Sequence, residues 1–350
     1  MAKRLIFSDL HFGDERCSLK RKSVANGLRE FLRGLQHADE LILAGDILDA
    51  NISSLTLAIE GKKGSGLWPK QLGFRDWLSF IFEDQKFKVD RIIYTPGNHD
   101  YIIWNILATD RAFVQPISKG KIPTEIPLME GTFTDPFIQG VAPKRLRDNF
   151  IVVYPNYEFM LAGRKVLVTH GHYLDEKQTL FKNLKKLIRK AGGNERKAVR
   201  KFFIGTAQYQ AVANSVSYMK KSRELVDKVH KTLGDFLDAI DIIGKLRNQP
   251  IDKEMLKAIE MYLRYFCDKE PDVFIFGHTH EAGYAQIKNF RRKKGRRPKN
   301  KLVEVWNDGS FIIKGGTAGT FLVADDNLPP EEMIKIYKVG SKGKVQVKSV

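Results

Sequence analysis

Asp9 and His11 stand two residues apart at the end of the apolar run Leu5-Ile6-Phe7. Side chains two apart on a β-strand share a face, so this pair can reach one point in space, a geometry that suits a metal ion. Alone, such a triplet is as readily the polar end of a strand, where Asp, Ser and His serve turn chemistry. The rest of the chain repeats the pattern. Further apolar runs end in Gly45-Asp46, in Asn98-His99-Asp100, in His170 and His172, and in His278 and His280. Six of the eight histidines fall in these clusters, leaving His37 and His230 on helix-like stretches as surface residues. In open α/β sheets, ligand sites gather beyond the carboxyl ends of strands. Five strand ends that supply only Asp, Asn and His therefore argue for a metal centre.

Asp9, His11, Asp46 and His280 can form one nitrogen-and-oxygen sphere, and Asp46, Asn98, His170 and His278 a second, if the Asp46 carboxylate bridges. Spacing alone leaves that division open. With no cysteine among the donors the preferred ions are Mn²⁺, Fe²⁺ or Zn²⁺, and affinity order does not choose between them. Two such ions about 3.5 to 4 Å apart would hold both the attacking and the leaving oxygens of a phosphoryl group.

The elements that must position these donors follow from periodicity. Residues 3–8 read as a strand, and Val24, Leu28, Phe31, Leu32 and Leu35 recur at helical spacing before the strand-like Leu41-Ile42-Leu43-Ala44. Phe74, Trp77, Leu78, Phe80 and Ile81 share a second helical face, followed by the strand Arg91-Ile92-Ile93-Tyr94. Residues 101–150 are rich in Pro and Gly and show no clear period, so they read as irregular. A hairpin follows, with Gly163-Arg164 as its two-residue turn, and its second strand leads to His170. Residues 177–267 read as helical, the last helix opening at Asp252. The strand Val273-Phe274-Ile275-Phe276 leads to His278, and strand pairs are expected around Asn307-Asp308-Gly309 and around Gly340.

A chain of 350 residues that is 43% hydrophobic can build a large core, and 1–350 reads as a single domain. No secretory leader and no membrane-spanning apolar run is evident, and the two cysteines, Cys17 and Cys267, lie in unrelated contexts. A reduced, cytoplasmic protein is expected. The net charge of +18 is concentrated: residues 177–201 and 288–301 each carry +9, so the remainder is formally neutral. Such segments suit a polyanionic surface, either nucleic acid or the inner face of an anionic membrane, or they merely solubilise the protein. Leu180, Phe181, Leu184, Leu187 and Ile188 share a helical face opposite Lys182, Lys185, Lys186, Arg189 and Lys190, which fits a membrane interface or a core-facing stripe equally. No obligate protein partner is evident.

The blocks SDLHFGD, LAGDILD, TPGNHDY, THGH and FGHTH, in this order, resemble the motifs of the calcineurin-like metallophosphoesterase family. The resemblance implies a four-layer α/β sandwich, two mixed β-sheets packed face to face and flanked by helices. It implies two divalent ions, most readily Mn²⁺, with Fe²⁺ and Zn²⁺ as alternatives, held by Asp9, His11, Asp46, Asn98, His170, His278 and His280 in the division given above. It further implies a metal-bridging hydroxide as nucleophile on a phosphate ester, with His99 as proton donor to the leaving group and Asp100 orienting it. His172 would support a ligand, contact substrate or serve a plain structural role.

Within the family the layout is similar to UDP-2,3-diacylglucosamine hydrolases, which also insert basic helices before the last block and carry a stretch like VWNDGSFI, near Asn307 and Ser310. A helical cap over 176–270 is expected on that basis, whereas the basic loop expected over 285–301, with the added stretches 50–73 and 101–150, makes this chain longer than those enzymes. The chain departs from those enzymes in reading His99 where they have Arg, and His172 where they have Asp. A lipid- or nucleotide-linked phosphodiester or pyrophosphate is the leading substrate reading. A nuclease and a metal-binding scaffold without turnover are the alternatives.

Overall fold

Strand β1 (Lys3–Phe7) lies between two partners, the parallel β2 (His37–Leu43) and an antiparallel strand from near the C-terminus. The structure, a computed structural model, describes residues 2–50, 53–62, 69, 71–82, 85–121, 131–134, 136–174, 251–267, 270–290, 301–313 and 316–349. The basic segment 177–201, His230, and most of the expected cap 176–270 and basic loop 285–301 therefore lie outside the described residues.

After β2 come β3 (Lys88–Tyr94), β4 (Gly131–Phe133), β5 (Phe150–Tyr154), β6 (Asn156–Leu161) and β7 (Arg164–Thr169). Then follow β8 (Val273–Phe276), β9 (Gly283–Phe290), β10 (Lys301–Asn307), β11 (Thr317–Asp325), β12 (Ile334–Gly340) and β13 (Val345–Val347). They form an eight-stranded sheet of order β13-β12-β11-β1-β2-β3-β5-β4 and a five-stranded sheet of order β6-β7-β8-β10-β9. Both are mixed: β1-β2-β3-β5 and β7-β8-β10 are parallel cores with antiparallel edges.

Alternation along the central strands builds the layers. Ile6, Ile42 and Ile93 turn inward against Val166, Val168, Val273 and Ile275 of the second sheet. Their neighbours Leu5, Phe7, Leu41, Leu43 and Tyr94 turn outward under helices α1 (Lys22–Leu35), α2 (Leu55–Glu60) and α3 (Phe74–Phe82). On the far face of the second sheet, Leu167, Phe274, Val303 and Val305 pack against a helix over Lys253–Phe266 through Ile259, Tyr262 and Leu263. Those three recur at helical spacing, and Asp252 caps the helix by accepting from Met255 N at 2.8 Å. Helix, sheet, sheet and helix are the four layers that the family resemblance implies. No described helix is long and apolar enough to cross a membrane.

Four local expectations need correction. The described residues of 101–150 are largely regular: α4 (Tyr101–Thr109) runs through a π-helical turn, Asp110–Val114, into α5 (Gln115–Ser118), and α6 (Pro136–Val141) comes later. Its period was hidden because exposed Ile106 and half-buried Ile102 leave the opposite face apolar too. Pro116 sits in the first turn of α5, where a missing N–H costs little. The β6–β7 turn is Ala162-Gly163, both at positive φ, one residue earlier than expected. Asn307-Asp308-Gly309 is no hairpin: the chain leaves the second sheet there, Phe311 enters the outer core of the first, and β11 joins β1. His37 opens β2 rather than lying on a helix, though it is exposed as expected and pairs with Asp90 at 3.1 Å.

Candidate metal centre

The parallel strands β1, β2 and β3 end side by side, carrying the loops of Asp9, Asp46 and Asn98-His99 to one edge, and β7 and β8 bring His170, His278 and His280 there. The convergence does not come from strand alternation. β1 ends at Phe7, and Asp9 and His11 lie beyond it at φ +52° and +51°. Asp46, His278 and His280 are also left-handed, at +51°, +66° and +59°. Such backbone costs roughly 1–2 kcal/mol per non-glycine residue, and strain of this kind concentrates at functional sites. The loops sustain it by hydrogen-bonding to one another: Asp9 N to Gly45 O, and His11 N to Asp46 O, both at 2.9 Å.

The donor atoms meet in three overlapping groups, Asp9/His11/His280, His11/Asp46/His99 and Asp46/His170/His278, each within 4.8 Å. Asp9 Oδ1 lies 3.1 Å from His280 Nε2, 3.6 Å from His170 Nε2 and 3.8 Å from His11 Nε2. Asp46 Oδ2 lies 3.4 Å from His170 Nε2 and 4.0 Å from the Nε2 atoms of His11 and His99. Asp9 Oδ1 and both nitrogens of His170 are buried without a hydrogen-bond partner, and His11 Nε2 faces His280 Nε2 at 3.2 Å. Buried polar atoms left unsatisfied where carboxylate oxygens and imidazole nitrogens converge fit a shared cation, and an all-N,O donor set fits the divalent ions named above. Asn98 is nearly buried beside them on the Gly97–His99 loop. His172 belongs to none of the groups: its ring packs 5.3 Å from that of His170, and burial pushes it down to about 3, so it is neutral.

Two residues differ from expectation. Asp100 does not orient His99; its carboxylate accepts from Ile47 N at 2.8 Å, from Gly97 N and from the Tyr94 hydroxyl, bracing the loops from beneath. These donors surround it, so the orienting partner comes from elsewhere. That partner is Asp49, fully buried, whose Oδ1 and Oδ2 lie 3.0 Å from His99 Nδ1 and His11 Nδ1. One carboxylate thus fixes both rings with Nε2 toward the centre. Asp49 is the last residue of GDILD, inside a recognised block, but its partners are distant in sequence. The approach is so close that a Cβ at Gly97 would lie 2.2 Å from Asp46 Oδ1 and 2.6 Å from His170 Nδ1.

Burial opposes the Asp9 carboxylate, but His11, His280 and His170 hold it well below the usual range. Burial, with Asp9 and Asp100 adding, pushes Asp46 up to about 7. Burial disfavours the His99 imidazolium, yet Asp49 and Asp46 more than offset it and push His99 up to about 9. Both shifts have one sign: the native protein holds protons on Asp46 from its ordinary 3.8 to about 7 and on His99 from 6.5 to about 9, where the unfolded chain has lost them. Between about 6.5 and 9, where His170 and His172 are neutral whether folded or unfolded, the metal-free protein should therefore lose stability as pH rises. A divalent ion displaces such protons, so the gain in melting temperature on adding Mn²⁺ should grow with pH. A gain that shrank with rising pH would contradict the assignment.

A profile of the calcineurin-like phosphoesterase family matches residues 2–282. No curated protein sequence matches the chain. Among solved structures, Vps29 from Entamoeba histolytica complexed with Zn²⁺ is 10% identical, with 99% of this chain and 98% of that one covered at a TM-score of 0.35. A predicted phosphoesterase from Streptococcus pneumoniae is 12% identical, with 100% and 98% covered at 0.28. A cold-active protein-tyrosine phosphatase from Shewanella sp. is 14% identical, with 100% and 81% covered at 0.32. Likenesses this loose bear no weight on the chemistry.

Proposed function

Because the chain belongs to the calcineurin-like phosphoesterase family, we propose that it hydrolyses a phosphodiester or pyrophosphate bond with two divalent ions, Mn²⁺ foremost. The observation that carries the reading is the shared carboxylate: His11 and Asp46 each belong to two of the three groups found among the described residues, and Asp46 is the carboxylate of that pair, its Oδ2 3.4 Å from His170 Nε2 and 4.0 Å from His11 Nε2, as a bridging ligand would be. Asp9, His11 and His280 would complete one sphere, and Asn98, His170 and His278 the other. When bound, such ions polarise a phosphoryl group and activate water near neutral pH.

The chain's own residues supply the rest. His99 keeps 22% of its side chain exposed at the rim while Asp49 holds its Nδ1, so Nε2 can carry a proton to a departing oxygen. In the metal-free protein Asp49 and Asp46 favour the protonated ring, pushing His99 up to about 9. Asp100 fixes the loops that carry Asp46 and His99, and His172 is read as packing on the His170 ring or touching substrate.

A lipid- or nucleotide-linked substrate, such as a UDP-sugar lipid, is the leading reading. The +9 carried by each of 177–201 and 288–301 supports docking on an anionic membrane or nucleic acid. Cys17 and Cys267 are buried and form no disulfide, which suits a cytoplasmic setting. Assay of the protein loaded with Mn²⁺, Fe²⁺ or Zn²⁺ against nucleotides, UDP-sugars, phospholipids and DNA tests the proposal. Cleavage of UDP-sugar or phospholipid pyrophosphates and diesters is expected. Cleavage of DNA alone would favour the nuclease, and no turnover at full metal occupancy would favour a binding scaffold.

A further inference from the structure

Beyond the matched stretch 2–282, the chain returns to the metal loops at Asn307-Asp308-Gly309, where β10 ends. Asn307, Asp308 and Ser8 are 0% exposed. We propose that this turn is a clasp that sets the metal affinity of the site, acting through Ser8 on Asp9 and through Thr279 on the His278–His280 loop. The inference rests on the metal-centre reading above.

Asp9 has two carboxylate oxygens with different tasks. Oδ1 faces the Nε2 atoms of His11, His170 and His280. Oδ2 accepts from His278 N at 2.9 Å and from the Ser8 hydroxyl. Those two bonds decide which oxygen is left for an ion. Ser8 Oγ also lies 2.8 Å from Asp308 Oδ1, with Gly309 O farther at 3.2 Å. A hydroxyl has one proton, so if Ser8 donates to Asp9, the 2.8 Å contact is a hydrogen bond only when Asp308 donates to Ser8. Asp308 is placed for that. Its Oδ2 has no hydrogen-bond partner, which a neutral carboxyl tolerates far better than a buried carboxylate would. Burial and the nearby Asp9 charge hold it well above the usual range, in the same sense.

The second arm is Asn307. Its Nδ2 donates to Gly277 O at 3.0 Å and to Thr279 Oγ1 at 2.9 Å, between the two terminal histidines, while its Oδ1 accepts from Gly309 N at 2.9 Å. Phe311 N then donates to Asp9 O at 3.0 Å. One turn therefore ties the first and last donor loops together. No slack remains between them: a Cβ at Gly277 would lie 2.1 Å from Ser8 Oγ and 2.5 Å from Asp9 Oδ2. Asn307 and Asp308 touch none of the donor atoms of the three groups, so they are positioning residues.

The test is Mn²⁺ affinity, by calorimetry on the full chain, with the melting temperature of each metal-free variant beside it. Asp308→Ala and Ser8→Ala should weaken Mn²⁺ binding about ten- to a hundredfold, the usual cost of losing a group that orients a ligand. Ser8→Ala removes a single oxygen, so it stays informative if Asp308→Ala folds poorly. Asp308→Asn should retain most of the affinity, because its amide can donate to Ser8 as the carboxyl does. A packing role alone would lower the metal-free melting temperature and leave the affinity of Ser8→Ala unchanged, which would overturn the proposal. So would an Asp308→Asn variant as weak as Asp308→Ala. If the parent binds no divalent ion, the metal-centre reading falls and the clasp with it; if the parent binds and Ser8→Ala matches it, only the clasp falls.

Discussion

Asp46→Asn is expected to abolish hydrolysis, by about 10³-fold or more, and to strip most of the bound metal. Asp46 Oδ1 accepts from His99 N at 2.8 Å, while Oδ2 faces the Nε2 atoms of His170, His11 and His99. An amide can accept the first bond, but it brings no negative charge to share between two cations. It also turns N–H donors toward nitrogens that must offer lone pairs. Several kcal/mol of transition-state stabilisation depend on metal charge in a site of this kind, and each 1.36 kcal/mol is a factor of ten. The same substitution should have an opposite effect on stability. Burial pushes Asp46 up to about 7, so its ionised form is disfavoured in the metal-free fold. At pH above that value, metal-free Asp46→Asn should melt higher than the metal-free parent. Elemental analysis, the rate on an aryl phosphodiester and two melting curves check all three effects. A parental rate at full metal occupancy would end the bridging assignment.

The donors of this site were legible because each is announced locally. An apolar run ends, and Asp, Asn or His follows within a few residues, so Asp9, Asp46, His99, His170 and His278 could be picked out without knowing how the strands pair. How they converge was not legible. Alternation on a strand was the natural expectation for Asp9 and His11, but β1 stops at Phe7 and left-handed backbone does the placing, held by hydrogen bonds from Asp9 and His11 to residues 45 and 46. Those partners lie more than thirty residues away. The same distance hid Asp49, which reaches from one loop to His99 on another, and it misassigned Asp100, whose donors are Ile47, Gly97 and Tyr94. Asp308 lies three hundred residues from Ser8. A local pattern also cannot separate a hairpin from a chain crossing between sheets, so the turn residues Asn307-Asp308-Gly309 suggest a strand pair where the chain in fact crosses. Helix α4 escaped for a different reason, since a helix apolar on most of its surface shows no period.

His99→Ala should leave metal content almost unchanged and slow hydrolysis about 10²- to 10⁴-fold, the range for losing a general acid. The loss should follow the leaving group. Nitrophenolate departs without a proton, so its rate should fall much less than that of an alkyl ester. Asp49→Asn separates the donor from its support. The Asp49 carboxylate contacts Nδ1 of both His99 and His11, so losing its charge should weaken metal binding as well as catalysis. It should also change the pH profile in a defined sense. Asp49 and Asp46 hold the His99 imidazolium up to about 9 against burial. With Asp49 neutral the proton leaves at lower pH, so the descending limb of kcat/KM for an alkyl ester should move down in pH. For a nitrophenyl ester that limb should barely move, because the rate does not depend on the His99 proton. Equal losses for the two esters in His99→Ala would remove His99 from the acid role. An unmoved limb in metal-saturated Asp49→Asn would show that the Asp49 contact supports the ring without tuning it.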